Sequence, residues 1–454
     1  MNASRKRKIA YLLIIVVLFT TQVFVGERLH QQAKAERLAH ESLGEVDPIS
    51  GTAQLVCFGF RGVAVTFLWN EVMDLNRKER WFEIKPVLNS ITLLQPNFHS
   101  PWQYQAWNMA YNIANAWEAV KDKYYWISEG AKFMQEACAK NQGVSDLQWY
   151  TGFIYFNRFS VHDDHKYLRE RFKNEAKERT DVKSTASRRD RADPFDNAYE
   201  WFQSANLTVI EKKKAPKGMG ITPFLSHPAK ALTTFAEFQG KEGTFGVDAR
   251  EAWNQAHNAW LEFGRGLGVV RKEGVGERDQ FVHRLEYDPA QYEQLNDDTK
   301  FWIQRYGNIV RYWYWKTRVK AEGTPQMEGA RESFYLAQKA WDDGDYDRAI
   351  AKFEEGFPKF RAVFDVPEFK NHLSGDMPIM DDAQDWERLY MRMLTNLSRP
   401  LPAKRPFQGL FGMAFDEALI SEAKPPTSSN PNAPKPKTSD PLEPPKRLEP
   451  PKPK

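Results

Sequence analysis

The chain has 454 residues, with 64 Lys and Arg against 60 Asp and Glu, a formal charge of +4 and two cysteines. So small a surplus excludes a general nucleic-acid binder, which needs a clustered basic face. Two cysteines exclude a disulfide scaffold or a multi-cysteine metal cluster, whereas 14 % aromatic residues, including 15 Trp, pose the question of core, ligand surface or both.

In chain order the first element is an anchor. Residues 1–8 form a basic tip carrying Arg5, Lys6, Arg7 and Lys8, followed by an apolar run at 9–25. That run is about 25 Å long as a helix, the short end of what crosses a bilayer. The preceding cations place the tip in the cytoplasm and the body outside, giving a single-pass protein of the inner (cell) membrane. A cleaved signal peptide is the competing reading. It needs small residues before the cut, and the segment from Val23 to Glu27 reads Val-Phe-Val-Gly-Glu. No Cys ends the run, which argues against a lipoprotein anchor. Residues 26–47 read as a polar stalk.

The body at 48–422 repeats its apolar residues at spacings of three and four, as in Trp102, Ala106, Met109, Ala110 and Ile113. That is a helix face, and alternating runs with hairpin turns are essentially absent. The expected fold class is all-α. Lys, Gly and Pro at 211–223 read as a surface connection between one helical half at 48–210 and a second at 224–422. Residues 162–193 are densely charged and predict an exposed helix plus a loop. Cys57 and Cys138 lie in apolar contexts, as buried free thiols or as a single disulfide. From Lys424 to Lys454 the chain holds 11 of its 27 prolines, so 423–454 reads as a disordered tail of polyproline II character.

The segment from Ala330 to Pro358, ARESFYLAQKAWDDGDYDRAIAKFEEGFP, resembles the tetratricopeptide repeat, a helix–turn–helix unit. Gly344-Asp345-Tyr346 matches its inter-helix turn, Ala337 its helix-crossing position, and Ala349, Phe353 and Gly356 the small, aromatic and small positions of its second helix. On this reading small residues let two helices approach while Tyr346 and Phe353 fill the gap to the next pair. Ala340 stands where an aromatic is usual, and Arg361 where proline usually ends the unit, so the repeat spans 330–361. Weaker copies lie at Trp81–Asn97, with Trp102 and Ala106 opening the next pair, and at Leu147–Phe159. The chain also resembles membrane-anchored helical-repeat proteins of planctomycete-type bacteria in FRGVAVTFLWN, LQPNFHSPWQYQAWNMAYNI and EGTFGVDAREAW. That resemblance implies no chemistry.

Several stretches resemble ligand sites in part. Asp343, Asp345, Asp347, Ile350 and Glu354 match a calcium loop, but Arg348 occupies the position that needs Gly, and the helical-repeat reading takes the same residues. His162 and His165 share a helix face without a third ligand. Gly264-Arg-Gly266-Leu-Gly268 lacks the last glycine of a dinucleotide fingerprint and any preceding strand. No cofactor or metal is expected.

A groove is expected where first helices of successive pairs line a concave face. Its residues are Gln103, Trp107 and Tyr111 in the pair opened by Trp102. They are Trp149, Phe153 and Asn157 in the pair around Gly152, and Arg331, Phe334, Gln338 and Trp341 in the best repeat. Aromatics and amides suit an extended peptide or a partner helix, although each ring equally suits inter-repeat core. Asn108 and Asn112, one turn apart, suit either a backbone ligand or a neighbouring turn. The expected function is a non-catalytic envelope scaffold for a protein or peptide partner. The alternative is a glycan-active enzyme or carbohydrate-binding protein of helical-toroid type, with Trp platforms and two carboxylates across a cleft.

Overall fold

The computed structural model describes residues 61–95, 99–160, 164–178, 193–266, 268–270, 280–282, 284–373 and 378–411, with single positions 17, 21 and 28. Those single positions apart, the expected tip, anchor and stalk lie outside the described residues, as do Cys57, His162 and the proline-rich tail. Among the described residues no helix is long and apolar enough to cross a membrane. The chain divides into two compact units, residues 1–335 and 336–454.

The first unit is built from helices that pack on near neighbours in sequence. Helices α1 (Arg61–Arg77) and α2 (Trp81–Leu94) form a hairpin around Val65, Val72 and Leu75 on one side and Ile84, Leu88 and Ile91 on the other. Helix α3 (His99–Trp107) continues through a π-helical turn, Asn108–Ile113, into the short Ala114–Ala116 segment, and packs on α4 (Val120–Lys140). The crossing is at Gly130, where a Cβ would stand 2.9 Å from the Ala106 carbonyl oxygen and 3.0 Å from the Ala110 Cβ. Glycine is needed there because the two backbones touch. Buried Ala106 is the small partner expected at that position.

The same device recurs between α5 (Ser145–Ser160) and α7 (Pro194–Lys212). A Cβ on Gly152 would meet the Phe202 ring at 2.9 Å and the Ala198 carbonyl at 3.1 Å. Helix α6 (His165–Glu178) lies against α5 and α7. The Cys138 thiol on α4 sits 3.4 Å from the Thr151 hydroxyl on α5, and burial pushes it up to about 11. Helices α8 (Ile221–Leu225), α9 (His227–Lys241) and α10 (Val247–Gly264) follow, α9 packing on both α7 and α10.

Beyond α10 the all-α body carries a short ribbon. Strands β1 (Gly268–Val270) and β2 (Gln280–Val282) pair antiparallel, with Gly268 opposite Val282 and Val270 opposite Gln280. Each has three residues, and their β-branched and aromatic content favours strand geometry, but runs so short leave no alternation to read. The glycine run before the ribbon has a packing role, because the Tyr312 ring lies directly over Gly264. Helices α11 (Pro289–Glu293), α12 (Asp297–Ile309) and α13 (Tyr312–Glu322) complete a second core. There Trp260 is fully buried and its indole N–H donates to the Thr233 hydroxyl at 3.0 Å.

Helix α14 (Pro325–Asp342) contains the division between the units. In the second unit it turns at Gly344, whose φ of +79° favours glycine, into α15 (Tyr346–Val363), capped by Asp345 through the Arg348 N–H at 3.2 Å. Ala337, Ala349, Phe353 and Gly356 are buried, as the repeat pattern requires. Tyr346 behaves otherwise. It is 42 % exposed and its ring lies 4.8 Å from Trp341, because the first residue of α15 faces back across the turn. Helices α16 (Pro367–Leu373) and α17 (Pro378–Asn396) close the unit, α17 packing on α15 around Phe353, Phe357, Tyr390 and Phe407. The body is thus a set of packed helices, consistent with a helical-repeat array.

Candidate functional site

Six of the expected groove residues fall on α3 with its π-helical turn and on the adjacent α5, and rings link four of them. Trp107, 38 % exposed, stacks on Tyr111 with centroids 3.9 Å apart and planes 11° from parallel. Trp107 also meets Tyr150 edge-on at 6.4 Å, Tyr150 meets Trp149 at 6.0 Å, and Trp149 stacks on Phe153 at 5.0 Å. The stack straddles the entry into the π-helical turn, a local rewinding that occurs often at functional sites. Gln103 and Asn157 are half-buried at the two ends of this series.

Polar groups border the rings. The Arg158 guanidinium lies 4.8 Å from the Tyr111 centroid and donates from Nη2 to Asn115 Oδ1 at 2.9 Å. Burial lowers its pKa. Asn112 donates to Asn108 at 3.1 Å, and Asn108 donates to Asn76 on α1 at 3.1 Å. The Asn pair therefore satisfies itself and α1. The Tyr111 hydroxyl is buried without a protein partner, and burial raises its pKa. An orphaned buried hydroxyl beside an open aromatic stack is a place where a ligand can supply the missing hydrogen bond.

Other expected residues lie elsewhere. Trp149 is only 8 % exposed and turns inward against Phe202, Phe224 and His227, so it is core beneath the open rings. Phe334, 2 % exposed, is core as well. Arg331 is held by buried Glu322, Nε to Oε2 at 3.0 Å. In the second unit Gln338 donates to Asp342 at 2.9 Å, and Trp341 lies against Tyr346. The sequence reading missed Tyr150, Arg158, Asn76 and Asn115. Asn115 continues the Asn108–Asn112 face at helical spacing, a signal that was present.

Beneath the aromatic face, His227 begins α9 inside a cage of Trp149, Phe156 and Phe202, with Nδ1 2.7 Å from the Pro223 carbonyl oxygen. Burial, aided by the nearby Lys230 charge, lowers it from 6.5 to about 3. In the unfolded chain this imidazole takes a proton as pH falls through 6.5, while the folded one stays neutral to about 3. Its stabilising contribution is therefore complete above 6.5 and declines through that window by about 1.4 kcal/mol per pH unit. Urea midpoints taken between neutral pH and pH ~4.5 should fall more steeply for the wild-type chain than for His227→Gln. Parallel pH profiles would show that His227 is not the titrating group.

Among the described residues no group of three or more His, Cys, Asp or Glu is placed to hold a metal ion. His165 packs edge-on against Phe238, and Asp164 pairs with Lys123 at 2.8 Å. In the acidic loop of the second unit, Asp345 caps α15, Asp347 pairs with Arg399, and Glu354 accepts from the Tyr390 hydroxyl at 3.0 Å. Two small surface cavities, of about 80 and 70 Å³, each carry one carboxylate, Glu262 and Asp146 respectively. No protein-family model matches the chain, and no curated protein matches it either.

Proposed function

We propose that the protein is a membrane-anchored, non-catalytic scaffold of tetratricopeptide-like helix pairs that holds an extended peptide of a partner protein on the α3–α5 face. The observation that carries this reading is the open Trp107–Tyr111 stack, bordered by Asn112, Asn115 and Arg158 and by an unpartnered Tyr111 hydroxyl. Rings give a peptide flat apolar contact, while amides and a hydroxyl can exchange hydrogen bonds with its backbone. The Gly130 and Gly152 crossings and the Gly344 turn support the tetratricopeptide-like part of the reading. The basic tip and the apolar run at 9–25 support the anchor.

A glycan-active enzyme would use the same rings as sugar platforms. It needs two carboxylates facing one another across a bound sugar. The Trp107–Tyr111 stack is bordered by amides, a hydroxyl and a guanidinium, which favours the peptide reading.

The test is capture of cross-linked partners by the full-length chain from intact membranes, beside Trp107→Ala. A stoichiometric protein partner is expected for the wild type. Its affinity should weaken by about 2 kcal/mol, roughly thirty-fold, in the variant, as for an exposed aromatic anchor. Recovery of no stoichiometric partner, together with sugar binding, would sink the scaffold reading.

A further inference from the structure

Where α4 ends, α5 begins and α7 runs out, the chain walls a cavity of about 70 Å³. Its lining is cationic. Lys212, Lys214, Lys217 and His99 line it with the hydroxyl-bearing Ser145 and Thr208.

The lysines stand on backbone pinned at both ends. Lys213 takes a left-handed conformation, φ +49°, that stops α7, and the N–H groups of Lys213 and Lys214 return to the Ile210 and Val209 carbonyls at 3.3 Å. Ala215 and Pro216 are then buried. At the far end the Asp146 carboxylate accepts the Lys217 N–H at 3.0 and 3.1 Å and the Gly218 N–H at 3.0 Å. Asp146 is the carboxylate of this lining, and both its oxygens are thereby engaged.

Across the cavity, Gly143 has a φ of +70°, and a Cβ there would stand 2.2 Å from Lys212 Nζ. A glycine thus lets the ammonium lie directly over its peptide. Neither the Lys212 nor the Lys217 ammonium has a carboxylate partner among the described residues. Two lysines without an acidic side-chain partner at one small cavity make its potential positive, which an entering anion would offset. The 16-residue helix α5 starts at the same wall and adds the positive end of its dipole.

We propose that this cavity binds a phosphate group. Lysine ammoniums are compact point charges suited to phosphate oxygens, and the two hydroxyls can complete the donor set. The site is separate from the aromatic face and does not depend on the peptide reading. A phosphate ester in solution and a lipid headgroup would present the same chemistry.

The experiment follows thermal unfolding of the full-length chain in inorganic phosphate against chloride at equal ionic strength. A saturable, phosphate-specific rise in the midpoint is expected. Lys212→Gln/Lys217→Gln should weaken the apparent affinity roughly ten-fold or more. Both residues are exposed, so the variant should fold, and Lys339→Gln/Lys404→Gln in the second unit serves as a charge-matched control. Glycerol phosphate and a short-chain phosphatidic acid form the second arm. Equal shifts identify the phosphate alone as the ligand, and a larger shift with the lipid identifies a headgroup. A midpoint that moves no further in phosphate than in chloride overturns the proposal, as does a shift the double substitution leaves unchanged.

Discussion

Arg169→Met should lower the unfolding free energy by about 3–5 kcal/mol, the usual cost of orphaning buried charge. Arg169 is fully buried on α6, between the Phe195 and Phe238 rings at 4.8 and 4.7 Å. Its guanidinium binds both Asp193 and Glu242, and Lys173 adds a 2.8 Å contact to Glu242. Asp193 also caps α7 by accepting the Phe195 N–H at 2.9 Å. One cation therefore holds α6 against the start of α7 and the end of α9. Methionine keeps the contact between the rings but leaves the buried Asp193 carboxylate with the Phe195 N–H and, among the described residues, one cation, Lys173 at 3.5 Å. Urea unfolding at neutral pH measures the loss. Adding Asp193→Asn and Glu242→Gln to Arg169→Met should recover part of it, because the charge then left over, Lys173, is part-exposed rather than buried and Asn still caps a helix. A single variant within about 1 kcal/mol of wild type would show the network to be dispensable.

Glu322→Ala is expected to cost a similar amount, about 3–5 kcal/mol. Glu322 is buried at the end of α13 and receives Arg331 from α14 as well as Arg318, at 3.5 Å, from its own helix. Arg318 is itself buried, with Glu237 of α9 at 3.2 Å and the Trp315 ring at 5.3 Å. Removing the carboxylate takes an acid away from both guanidiniums, while Arg318 keeps Glu237. Glu322→Gln, which keeps an acceptor and the shape, should fall between the alanine variant and the wild type. Urea unfolding with far-UV circular dichroism reads both, and equal stability of all three chains would refute the assignment.

The helices were legible because their apolar spacing is regular and their stops are chemically marked. The turn at Gly344 with its Asp345 cap and the small residues Ala337, Ala349 and Gly356 could be placed from sequence alone. The orientation of individual rings was not legible. Trp149 and Phe153 are one turn apart and stack together, yet Trp149 is core and Phe153 is half-buried, because the neighbouring α8–α9 segment covers one and not the other. Arg331 was read as facing a groove because its partner, Glu322, lies on a preceding helix whose approach no local pattern encodes. The ribbon at 268–270 and 280–282 was missed for lack of length. The π-helical turn at Asn108–Ile113 gave no signal either, since its apolar spacing matches an ordinary helix over so few residues.

The sequential packing of the first unit also bears on how the chain acquires its structure. Each helix finds its main partner one or a few elements away, as α1 finds α2, α3 finds α4 and α9 finds α10. In these pairs the loop to be closed is short, so the entropic cost of docking is small. Assembly can then proceed vectorially, each new hairpin condensing on the one already formed, in the manner of rapidly folding low-contact-order proteins.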